Sequence, residues 1–168
     1  MIEIKNTENA ENYIDFIKGD EGARTLYGDY IKDRSDISQF ESQIEQIAET
    51  VIARIDESMV AEFDYSDESL EAMENVIDDA FKYEDNLDLS LVEDMVIDLG
   101  SYLSLTIINN FGGEWRFRSD LIHSSIYFKS IESECFPFHR VARRLLHGKN
   151  ESLMDFYISL VQAFGADS

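Results

Sequence analysis

The stretch SLVEDMVIDLGSYLSLTIINNF, residues 90–111, decides the fold. Ser90 and Glu93 have capping-box spacing, in which the hydroxyl accepts from a free backbone amide and the carboxylate reaches back. Met95, Val96, Leu99, Tyr102, Leu103, Thr106, Ile107 and Ile108 cover most of the helical circumference, which predicts a central core helix. Gly100, Ser101 and Ser104 leave room for another element to come close. Gly112-Gly113 ends the helix, because glycine takes the left-handed cap conformation without steric cost.

Downstream the periodicity changes from helical to alternating. Glu114-Trp115-Arg116-Phe117-Arg118 puts two aromatics on one face and three charges on the other. Ile126 to Ile131 is rich in strand formers, so the two segments predict antiparallel neighbours across Ser119–Ser125. Pro137 suits the first position of a helix, where its missing N–H would have no partner anyway. That helix presents Phe138, Val141 and Leu145 and ends near His147-Gly148. A last helix begins at Ser152, with Leu153, Phe156, Leu160 and Val161 as its apolar face.

Upstream, Ser38 and Glu41 predict the cap of a helix whose stripe is Phe40, Ile44, Ile47, Val51 and Ile55. Val60 to Phe63 suggests a short strand, and Ser66 caps a further helix that buries Leu70, Met73, Ile77, Ala80 and Phe81. Helical spacing also runs through Glu8–Lys18 and, more weakly, Glu21–Lys32. The expectation is one α+β domain over residues 1–168, with several helices on a small antiparallel sheet. It divides into an N-terminal helical region (1–37), acidic helices (38–112), and the sheet with two helices (113–168). No disulfide or metal is needed to fold a chain of 168 residues that is 44% hydrophobic. The start, Met1-Ile2-Glu3-Ile4-Lys5, has no apolar signal core, and Leu99–Ile108 is too short to span a bilayer; a cytoplasmic protein is expected.

Charge is the strongest functional signal. The net of −21 comes entirely from residues 1–112, which hold 28 acids and 7 bases, whereas residues 113–168 balance at 7 of each. Such a field repels nucleic acid and anionic membranes and attracts a basic protein. Glu41, Glu45, Glu49 and Asp56 fall within roughly 80° of one another on the helical wheel, with no Lys placed to relieve them. These four are the candidate partner-binding residues. Asp94 and Asp98, one turn apart on the central helix, are the candidate pair for a divalent cation, and a metal-dependent hydrolase is the alternative they would serve. A third alternative is an oligomer subunit that exposes Trp115, Phe117 and Tyr127; otherwise these aromatics face the helices.

No catalytic residue and no cofactor are expected. The chain has no phosphate loop, nucleophile elbow or HExxH motif, and Cys135 with His139 lacks an orienting third group. Arg140, Arg143, Arg144 and His147 share one face of the helix after Pro137, suited either to an anion or to pairing with the acidic helices.

Three stretches in fixed order carry a family likeness. They are Asp64-Tyr65-Ser66-x-x-Ser69-Leu70; Leu99-Gly100-x-Tyr102-Leu103 running to Gly112-Gly113-x-Trp115; and Phe136-Pro137-Phe138 with Val141, Arg143, Leu145, Gly148 and Ser152-Leu153. Over about residues 60–160 the chain resembles a diverse family of small uncharacterised bacterial proteins, some associated with toxin-immunity gene neighbourhoods. In that family Gly-Glu often follows Tyr-Leu, where this chain has Ser104-Leu105. Any role of that Glu is therefore absent here. The resemblance implies a shared fold and an immunity-like or inhibitor-like binding role, and it transfers no catalytic residue.

Overall fold

The computed structural model describes residues 30–55, 63–81, 89–118 and 121–166. The central helix spans Leu89–Phe111 (α3 in chain order). It follows α1 (Arg34–Arg54) and α2 (Glu68–Phe81) and precedes β1 (Glu114–Arg116), β2 (Ser125–Phe128) and β3 (Ser133–Cys135). Then come α4 (Pro137–His147) and α5 (Leu153–Ala166). The architecture is α+β, as the patterning predicts, and no described helix is long and apolar enough to cross a membrane.

α3 is central because both of its sides are covered: it packs chiefly against α1 and α4, while α2 lies against α5. Val96, Leu99, Tyr102, Leu103, Thr106 and Ile107 are buried, as are Ser101 and Ser104. The last two satisfy their hydroxyls on the carbonyls one turn back, at Ile97 and Gly100. A Cβ at Gly100 would lie 2.3 Å from Phe138 Cδ1, so only glycine lets α4 approach this closely. Gly112 and Gly113, at φ +77° and +107°, turn the chain into β1.

The sheet has order β1-β2-β3, antiparallel throughout. Trp115 pairs with Ile126, and Ile126 with Cys135, on the inner face; Glu114, Tyr127 and Glu134 line up on the outer one. The inner aromatics lock the layers together. Phe117 lies 4.9 Å from Phe40 of α1, Trp115 6.1 Å from Phe138 of α4, and Phe128 5.2 Å from Phe164 of α5, centroid to centroid. Trp115 and Phe117 are 9% and 1% exposed and face the helices, so of the three aromatics expected to form an outward patch only Tyr127 lies on the outer face. β3 was not expected from the sequence; three residues are too few for alternation to register.

Several boundaries differ from the sequence reading. α1 starts four residues before Ser38, because Asp33 is the cap: its carboxylate accepts from Ser35 N–H at 2.9 Å and Asp36 N–H at 3.1 Å. An ionised oxygen facing the positive helix end outcompetes a hydroxyl five residues on. Val161 is 48% exposed, and Tyr157 takes its expected place in the core beside Leu153 and Leu160. The expected Glu8–Lys18 helix lies outside the described residues. So does the Glu21–Lys32 stretch except Tyr30–Lys32, which is not helical; Ile31 N–H donates to Phe117 O at 2.7 Å there. The Val60–Phe63 strand also falls outside, apart from the buried Phe63, as do the side chains of Ala80, Phe81 and His147.

Candidate functional site

Two groups among the acidic side chains stand out. Those facing other elements are matched by cations. Arg144, its side chain 4% exposed, reaches from α4 to α2, where Nε donates to Glu74 at 2.8 Å and Nη2 to Asp78 at 2.7 Å. Burial alone lowers the pKa of that guanidinium, but the two carboxylates outweigh it and the net direction is up. Glu74 also accepts the Leu153 N–H, so one carboxylate ties α2, α4 and the start of α5 together. Arg140 and Arg143 both grip Glu151, and Arg116 and Arg118 approach Glu134 at 3.7 and 3.8 Å. The arginine face of α4 is therefore used for internal pairing.

Glu41, Glu45 and Glu49 form the second group. All three are exposed along one side of α1, and among the described residues none makes an ion pair. Glu45 and Glu49 lie near enough to act on Tyr65, a non-glycine residue at φ 63°. Its N–H donates to the Tyr102 hydroxyl at 2.9 Å, its carbonyl accepts from Asn110 at 3.0 Å, and its ring stacks on Tyr102 at 4.9 Å. Burial raises the Tyr65 phenol pKa, and Tyr102, Glu49 and Glu45 add to the rise. Asp56, the fourth candidate, lies outside the described residues.

Glu41 and Glu45 also border a hollow of about 390 Å³ between α1, α3 and the start of β1. Ile37, Leu105, Ile108 and Trp115 make its apolar floor. Its other charged borders are Lys32, Arg34 and Glu114. Sequence reasoning missed Lys32, Arg34 and Trp115 as lining residues. No local pattern could reveal a site assembled from positions about eighty residues apart.

Asp94 is exposed, while Asp98 is part-buried with Arg54 Nη1 3.6 Å from its carboxylate. Burial raises the Asp98 pKa, Arg54 opposes the rise and Asp94 adds to it. Among the described residues no group of three or more His, Cys, Asp or Glu side chains is placed to hold a metal. Cys135 is buried on β3, and burial pushes its thiol up to about 12, far from a nucleophile's range.

No family model, no curated protein and no solved structure matches this chain.

Proposed function

We propose that the chain is a non-catalytic cytoplasmic binding module, immunity-like or inhibitor-like, that engages a basic protein through Glu41, Glu45 and Glu49. The observation that carries this is a row of three exposed acids one turn apart on a single face of α1. Glu74, Asp78, Asp98, Glu134 and Glu151 have cationic partners inside the fold, whereas the α1 row has none among the described residues. Like charges one turn apart cost about 0.2–0.5 kcal/mol per pair, so the row does not serve the helix that carries it. An external cation relieves it. The net charge of −21 steers basic partners in and nucleic acid away. The resemblance over residues 60–160 points the same way.

The test is affinity capture from the native cell at low salt and at about 0.5 M salt, where screening shortens to a few ångströms. A partner lost at high salt, and lost at low salt by the E41K/E45K/E49K variant, supports the module. Capture indifferent to both salt and charge reversal contradicts it.

A further inference from the structure

The hollow beside α1 is electrically asymmetric along its length. Arg34, Ile37, Glu41 and Glu45 lie within about 80° on one side of α1, and from first to last the helix rises about 16 Å. α1 and α3 run antiparallel. The Arg54–Asp98 pair marks one end of their contact, and the Ile31–Phe117 hydrogen bond marks the other. Lys32 and Arg34 therefore stand at the sheet end, against the single carboxylate of Glu114. Glu41 and Glu45 stand toward the far end, with apolar side chains between.

We infer that this groove holds a short extended peptide segment of a partner, with a basic residue at the Glu41–Glu45 end, an acidic residue at the Lys32–Arg34 end, and apolar side chains on Ile37, Leu105, Ile108 and Trp115. It rests on the module reading above and adds the chemistry of the contact. An extended chain advances about 3.3–3.6 Å per residue, so about four residues cover the roughly 13.5 Å of helix rise from Arg34 to the middle of the Glu41–Glu45 pair. A floor of aliphatic and indole carbon rewards apolar side chains and leaves backbone amides facing water. Lys32 and Arg34 have no ion pair among the described residues, and neither do Glu41, Glu45 and Glu114. Neither end is ion-paired within the described fold, although Lys32 stands 5.5 Å from the centroid of the Tyr30 ring, and the two ends carry opposite net sign. A uniformly basic segment satisfies only one of them.

The chain's single tryptophan, Trp115, lines the hollow and serves as the reporter. The full chain is titrated with acetyl-Lys-Leu-Leu-Asp-amide while Trp115 fluorescence is followed. A saturable change is expected. Lys-Leu-Leu-Lys, Asp-Leu-Leu-Asp and Lys-Gly-Gly-Asp in the same capped form should each bind about tenfold more weakly or worse, since each forfeits one end or the floor. E41K/E45K should shift the preference to Asp-Leu-Leu-Asp, and K32E/R34E should shift it to Lys-Leu-Leu-Lys. No saturable change with any peptide overturns the inference, as does equal binding of all four. A protein that binds no peptide yet captures a basic partner in a salt-dependent way keeps the module reading and loses this one.

Discussion

Arg144 Nε donates to Glu74 Oε2 at 2.8 Å across a sequence separation of 70 residues. With Asp78 accepting from the same guanidinium and Glu74 also accepting from the Leu153 N–H, this contact fastens α4 to α2 and α5. It is the most enclosed charge in the described fold. Arg144→Ala leaves Glu74, 15% exposed, without its counter-charge. Stability in urea should fall by about 3 kcal/mol, at the low end of the range for breaking a buried pair because Asp78 keeps contact with water. Arg144→Met with Glu74→Leu should recover part of that loss. A change under about 1 kcal/mol for Arg144→Ala would mean the pair is solvated.

Tyr102 holds Tyr65 in a left-handed conformation by accepting its N–H. Tyr102→Phe keeps the ring stack and removes the acceptor. Stability should drop by about 1–2 kcal/mol, the cost of an unpaired part-buried donor. The Tyr65 amide should exchange with solvent measurably faster. Unchanged exchange would show that another acceptor replaces the hydroxyl.

Gly100→Ala places a methyl against a Phe138 ring that is fully buried. Overpacking of this kind costs about 1–3 kcal/mol. The melting temperature should therefore fall by several degrees, while Gly112→Ala, with open space around it, should be penalised only through its positive φ.

Burial raises the Asp98 pKa above 3.8 despite Arg54, so the folded chain holds that proton more tightly than the unfolded one. Stability contributed by Asp98 then falls as pH climbs from about 3.8 through its folded pKa, and the charged form is a net cost at neutral pH. Asp98→Asn should melt no lower than the wild type at pH 7, and any advantage should vanish by about pH 3.5. Its partner Arg54 is 70% exposed and repays little. A lower melting temperature at pH 7 would put the ion pair ahead of desolvation.

Leu99–Ile107, Gly112-Gly113, Ser66 and Pro137 each act within a turn or two of themselves, so spacing alone exposed them. Several positions of the family-like pattern have structural roles: Gly100 admits Phe138, Tyr102 clamps Tyr65, and Asp64 accepts from Ser66 N–H at 3.1 Å. What the sequence concealed depends on distant partners. The arginine face of α4 suggested internal pairing, but nothing local named Glu74 or Asp78. The groove joins Lys32 and Arg34 to Leu105 and Trp115, a juxtaposition created only when α1 packs antiparallel on α3. Asp33 is masked in the sequence by Ser38 and Glu41, whose spacing matches the capping box although the hydroxyl is the weaker acceptor.

The most direct check is the unfolding free energy of Glu41→Gln/Glu45→Gln/Glu49→Gln in urea. If those carboxylates serve a partner and not the fold, the triple variant should equal the wild type or exceed it by up to about 1 kcal/mol, as two like-charge contacts are relieved. A loss of more than about 1 kcal/mol would show that the row stabilises its own domain, contradicting the binding role assigned to it.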